Sequence, residues 1–128
     1  MREAGLEGRV VYGDLEGEGG YRVAADAFRR YPDTTAIFAA NDQTAFGARL
    51  YLYEQGLRVP EDVSLVGFDD IALSAYQIPP LTTVRQPIQD IGIALGRALR
   101  AVLAGEVPTL PRLELRLVER ASVREVRA

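Results

Sequence analysis

Two apolar runs restrict the fold more than anything else in the chain: Ala36-Ile37-Phe38-Ala39-Ala40 and Val63-Ser64-Leu65-Val66-Gly67-Phe68. Each breaks off at polar side chains, Asn41-Asp42-Gln43 and Asp69-Asp70. The first, a continuous apolar run, suits a strand covered on both faces, and the second reads as the next strand. Between the runs, Phe46, Leu50 and Tyr53 recur at helical spacing over 44–55, and Gly56 suits a left-handed stop. Strands separated by a helix of this length imply a right-handed crossover and a mainly parallel sheet.

The alternation continues on both sides. Arg9-Val10-Val11-Tyr12 reads as a short strand stopped by Gly13-Asp14, and Tyr21, Ala24, Ala25 and Phe28 mark a helix over 21–31. Residues 69–80 read as a loop or short helix ended by Pro79-Pro80, and Leu81-Thr82-Thr83-Val84 as a strand. Pro87 is placed to open the most amphipathic helix, marked by Ile88, Ile91, Leu95, Ala98, Leu99 and Val102 and stopped by Gly105. Leu113, Leu115 and Leu117 then alternate with Glu114 and Arg116 like a half-buried strand. The predicted order is β-α-β-α-β-β-α-β, an α/β class, and 128 residues suffice for one compact domain without a disulfide or metal staple.

Composition removes whole classes of chemistry. With no cysteine and no histidine, zinc sites built on those ligands, thiol chemistry and Ser-His pairs are excluded. All 15 basic residues are arginine, so a Schiff-base lysine and the lysine of a phosphate-binding P-loop are excluded as well. A formal charge of −3 is a poor basis for gripping nucleic acid. No apolar run reaches membrane-spanning length, and the first 20 residues lack the apolar core of a signal peptide, so a cytoplasmic location without membrane contact is expected.

In an open parallel sheet, ligands collect beyond the carboxyl ends of the strands. Gly13-Asp14-Leu15, Asn41-Asp42-Gln43 and Asp69-Asp70 follow the three predicted strands, and their polar groups suit a floor for a sugar or another small polar ligand. Simpler roles compete. Asp42 suits a helix cap and Asp14 a turn residue, while Asp69-Asp70 suits a loop acid with a cap beside it. Paired carboxylates also raise glycoside hydrolysis, but no other catalytic device accompanies them, and no enzymatic activity is expected. Gly17-Glu18-Gly19-Gly20 lacks dinucleotide-fingerprint spacing and reads as a flexible lead-in to the helix. Gly92 and Gly96 suggest a close-packing seam. Arg112, Arg116, Arg120, Arg124 and Arg127, interleaved with acids, read as a solvated mixed-charge face.

Four motifs in order carry a resemblance: 39–48 (AANDQTAFGA), 56–70 (GLRVPEDVSLVGFDD), 79–87 (PPLTTVRQP) and 116–122 (RLVERAS). They closely resemble the C-terminal portion of the lactose-repressor/galactose-repressor (LacI/GalR) family of bacterial transcription regulators. That resemblance implies a periplasmic-binding-protein-like core whose two α/β lobes clamp a small effector, often a sugar or nucleobase, with no cofactor and no metal. It places 1–85 and 116–128 in the second lobe, incomplete, and 86–115 as a crossover helix and strand that complete the first lobe. No DNA-binding headpiece precedes Met1, so DNA would be a partner only through a headpiece outside these residues. By motif position Asn41, Asp69, Leu15 and Gln86 resemble effector contacts. Leu15 stands where members often have an aromatic ring, which removes a stacking surface. Phe46, Leu50 and Tyr76 map to the face that pairs two copies, with core packing an equal alternative for Leu50. A transport-system sugar-binding protein is the rival with the same fold. The apolar face of the helix at 88–103 implies association between copies.

Overall fold

The computed structural model describes residue 5 and residues 8–125. Its elements are α1 (Gly17–Arg30), β1 (Ala36–Phe38), α2 (Asp42–Glu54), β2 (Ser64–Asp69), β3 (Thr82–Arg85), α3 (Ile88–Leu103) and β4 (Arg116–Val118), with a 3-10 turn at Ala72–Tyr76. The sheet runs β1-β2-β3-β4. The first three strands are parallel, with Phe38 opposite Val66 and Asp69 opposite Arg85, and β4 is antiparallel to β3. A mainly parallel α/β sheet is therefore present, and the crossover through α2 places that helix on one face.

The core lies between that helix layer and the sheet. Ala24, Ala39, Ala45, Ala48, Leu65 and Leu81 form it, with Ile37, Phe46, Tyr51 and Val59 packed around the margin. Most of these are small because α1 and α2 touch almost backbone to backbone. A Cβ on Gly47 would stand 1.8 Å from the Gly17 carbonyl oxygen, and one on Gly20 would stand 2.3 Å from that of Thr44. The Gly17-Glu18-Gly19-Gly20 run is the first turn of α1 rather than a flexible lead-in, and its Gly20 is the residue that only bare backbone fits at this crossing. Beside the contact, Tyr21 meets Tyr51 edge-on at 5.6 Å and donates to Glu54 at 2.6 Å.

Several expectations need correction. Residues 9–12 pair with no strand. Arg9 instead reaches Asp33 at 2.6 Å and lies over the Tyr31 ring, while Tyr12 stands in solvent. The run at 36–40 is a three-residue strand, and Phe38 is 66% exposed, so β1 is not covered on both faces. The strand expected at 113–117 begins only at Arg116. Arg116 faces Arg85, the last residue of β3, so the leucines before it have no strand end to pair with. In the 86–115 segment, only the helix is therefore regular structure. Gly92 and Gly96 form no seam, since nothing lies within 4 Å of the space their side chains would fill. Arg127 lies outside the described residues.

The long amphipathic helix is present as α3, but it buries no residue. The close-packed pairs are α1 with α2, α2 with β2, and the strand neighbours; α3 is in none of them. Ile88, Ile93, Leu95, Leu99 and Val102 consequently stay exposed.

Gly47→Ala should lower stability by at least about 2 kcal/mol, because the added methyl meets main chain that cannot rotate away. Ala is ordinarily the better helix residue, so a Gly47→Ala variant as stable as the parent in urea titration would disprove this packing.

Candidate functional site

Because β1, β2 and β3 are parallel, the residues that leave their carboxyl ends share one rim of the sheet. Asn41 follows β1, Asp69 ends β2 and Gln86 follows β3. The Asn41 side-chain Nδ2 donates to the Leu15 carbonyl at 2.8 Å, which draws the loop before α1 to the same rim. The Gln86 Nε2 donates to Asp69 Oδ1 at 2.6 Å. All four residues singled out in the sequence therefore lie along this rim in two bonded pairs. Asp14 does not join them. Its carboxylate accepts from the Glu16 N–H and pairs with Arg22, as a turn residue at the start of α1 does.

Asn41 is also the N-cap of α2, its Oδ1 accepting from the Thr44 N–H at 2.8 Å. Asp42 is therefore not the cap. Bonding capacity then shows what the rim can offer. Among the described residues, one Nδ2 hydrogen of Asn41, Oδ2 of Asp69, and one Nε2 hydrogen and the Oε1 of Gln86 have no protein partner. Donors and acceptors side by side suit hydroxyls or ring nitrogens. Leu15, 56% exposed, adds an apolar surface without a ring plane.

The backbone is held in uncommon conformations here. Leu15, Asp69 and Asp70, with φ of 65°, 114° and 55°, are the described non-glycine residues with positive φ, and all three belong to this rim. Such conformations persist only where neighbouring contacts enforce them, and they cluster at functional sites.

Asp42 is one source of that enforcement. The carboxylate, at 0% exposure in the first turn of α2, accepts from Thr83 Oγ1 at 2.5 Å, Ser74 Oγ at 2.6 Å and the Ile71 N–H at 2.9 Å. One side chain thus joins α2, β3 and the turn that leaves β2. Gly67 beneath it is obligatory, since a Cβ there would lie 2.2 Å from Asp42 Oδ1. Asp70 is occupied as well: its side chain is 4% exposed and pairs with Arg85 at 2.5 Å and Arg120 at 2.6 Å. Burial pushes its pKa up, but the Arg120 and Arg85 guanidinium groups outweigh burial and hold it below the ordinary carboxylate value.

Sequence reasoning missed three of these supports. Arg120 is no part of a solvated face; it also donates to the Leu81 carbonyl at 2.7 Å. Buried Ser122 donates to the Leu65 carbonyl at 2.5 Å and accepts from the Thr82 N–H at 2.8 Å, tying the C-terminal segment to β2 and β3. Asp42 passed as a cap. The available signal was the pair Thr82-Thr83 inside an apolar strand, since buried hydroxyls require partners.

The mapped pairing residues divide. Phe46 is half-buried against the core, whereas Leu50 is exposed and Tyr76 is 80% exposed, so core packing does not account for the latter two. Two concavities, one lined by Tyr12, Asp14, Arg22 and Asp26 and one between α3 and residues 109–113, include none of Asn41, Asp69 or Gln86. Among the described residues no cluster of three acidic side chains could hold a metal, and no helix is long and apolar enough to cross a membrane.

Comparison with known proteins identifies the family. The model of the periplasmic binding protein-like domain family matches residues 1–123. The HTH-type transcriptional repressor PurR of Escherichia coli O1:K1 is 40% identical over 119 residues, which are 91% of this chain and 35% of the repressor. The chain thus spans about a third of that relative's length. Among solved structures, the transcriptional regulator CelR in complex with cellobiose superposes with a TM-score of 0.85 at 37% identity, covering 94% of this chain and 38% of that one. A LacI family regulator from Arthrobacter sp. FB24 in complex with lactose gives 0.80 at 31% identity, covering 96% and 48%.

Asp42→Ala should cost at least about 3 kcal/mol, since it strands two hydroxyls and one backbone N–H in the interior, each worth roughly 1–3 kcal/mol. Urea titration showing a loss under about 1 kcal/mol would contradict that network. The Asp70 ion pairs predict a pH window. With its folded pKa lowered from 3.8, Asp70 contributes stability fully above that value, and the contribution disappears as pH falls through the lower folded value. Acid titration of Asp70→Asn should therefore show a shallower stability loss below about pH 4 than the parent.

Proposed function

The chain belongs to the periplasmic binding protein-like domain family, in the form carried by LacI-type transcription regulators, and from that premise we propose that it is the effector-binding and pairing module of such a regulator. The observation that carries this reading is the convergence of Asn41, Asp69 and Gln86 on one rim, each with hydrogen-bonding capacity left over. A small polar effector is recognised there through hydroxyl or ring-nitrogen contacts. A sugar fits best, because Asp69 and Gln86 supply alternating acceptors and donors while Leu15 offers apolar contact without a stacking face.

The rim is one wall, and a clamped ligand needs a second. The exposed apolar side of α3 supplies the reason to place that wall on a second lobe, to which 86–115 crosses. An effector that contacts both walls binds the closed arrangement better than the open one and shifts the population accordingly. The exposed Leu50 and Tyr76, together with Phe46, supply the contacts through which two copies associate, and that pairing converts closure into a change in the spacing of DNA-binding elements. With net charge −3, residues 1–128 do not themselves hold operator DNA. The regulators among the relatives favour this reading over a transport-system binding protein and over an enzyme.

The test is calorimetric titration of the full-length gene product with cellobiose, lactose and a purine base. Asp69→Ala is expected to weaken whichever one binds by about 1–3 kcal/mol, the scale for leaving buried polar partners unmet. Unchanged affinity would remove Asp69, and with it this rim, from the site.

A further inference from the structure

Asp70 follows Asp69 on the rim, yet its carboxylate is nearly closed off from solvent and occupied by two arginines. The two residues at this corner, Asp69 and Asp70, both have positive φ, and the value of 114° at Asp69 lies outside even the left-handed helical well. An L-residue released from such a conformation returns to the extended region, which would swing its side chain toward the other face of the strand. Something must hold this corner, and the bonds around Asp70 are arranged to do so.

Arg85, which donates to Asp70 Oδ2, is the register partner of Asp69 across β2 and β3, and the next residue is Gln86. Arg120, which donates to Asp70 Oδ1, also donates to the Leu81 carbonyl, and its backbone N–H donates to Thr82 Oγ1 at 2.9 Å. One carboxylate therefore grips the exit of β3 with one oxygen and the C-terminal segment with the other. On the far side of the corner, Asp42 holds the Ile71 N–H. Asp69 is pinned between these anchors, and Gln86 is held opposite it.

We infer that Asp70, bridged by Arg85 and Arg120, is a positioning residue that sets the geometry of the Asp69–Gln86 pair. This inference rests on the effector-binding reading for its biological meaning, but the geometry can be tested without any ligand. A merely structural ion pair would alter the midpoint of unfolding and leave Asp69 and Gln86 unchanged in the molecules that remain folded.

The experiment is 15N–1H NMR of the 128-residue chain as parent, Asp70→Asn and Arg85→Gln, with Asp62→Asn as a control that breaks the Arg58–Asp62 ion pair. Arg85 is largely exposed, and its replacement leaves the Asp70–Arg120 bridge in place, so this variant keeps its fold even if Asp70→Asn does not. The expected result in the folded variants is loss of hydrogen-exchange protection at the Gln86 side-chain amide. The Asp69 HN–Hα coupling should also rise from the small value that belongs to a φ of 114° toward the large value of extended backbone. The control should change neither signal. Parent-like signals in folded Arg85→Gln, or equal changes in the control, would overturn the inference. Titration of the full-length product with cellobiose, lactose and adenine separates the two readings. If the NMR signals move and none of these binds the parent, the effector reading fails while the positioning role stands. If one of them binds, Arg85→Gln should bind it at least about tenfold more weakly, the scale of one misplaced hydrogen-bonding group. Equal affinity would overturn the inference.

Discussion

The carboxylate of Asp42 is the interaction on which the rest of this molecule depends. It is buried at the start of α2 and accepts three hydrogen bonds, from β3, from the 3-10 turn and from the backbone just past β2. A charged group out of water is tolerated only when its oxygens are occupied by donors, and here the donors come from segments far apart in the chain. The need to satisfy it brings α2 and the parallel strands into one register. Gly67 and the buried hydroxyls of Ser74 and Thr83 then follow as accommodations to this one anion.

From that anchor the rim follows. Asn41 precedes Asp42 and must cap α2, so its amide faces the carboxyl end of the sheet, where it also catches the loop at Leu15. Ile71, held by Asp42, closes the turn that begins at Asp69 and Asp70. The same contacts that stabilise the crossover therefore aim the polar groups at one place. The buried ties and the polar rim share a scaffold here, which is the usual arrangement of an open α/β sheet. The uncommon backbone at Leu15, Asp69 and Asp70 shows where that scaffold has been bent away from its easiest conformation.

Elsewhere apolar surface is left without cover. Phe38 and Leu117 on the sheet and the apolar side of α3 are exposed. These residues have the periodicity of a core, and periodicity is a local property. Whether a core forms around them depends on what packs there. The helix at 88–103 was legible for that reason, while its uncovered apolar face was expected only from the resemblance to a longer, two-lobed family. The strand expected at 9–12 failed because β propensity does not supply a pairing partner.

The amino-acid sequence by itself determined the elements whose signals are local: the helices at α1, α2 and α3, the three parallel strands, the turn at Gly56, and the placement of Asn41 and Asp69 at strand ends. It did so because apolar period and breaker residues act over a few positions. The roles of Asp42, Asp70, Arg120 and Ser122 were decided only by the tertiary structure. Their partners lie 15 to 57 positions away along the chain, and whether a polar side chain is a solvated surface group or a buried tie depends on which distant donor the fold delivers to it.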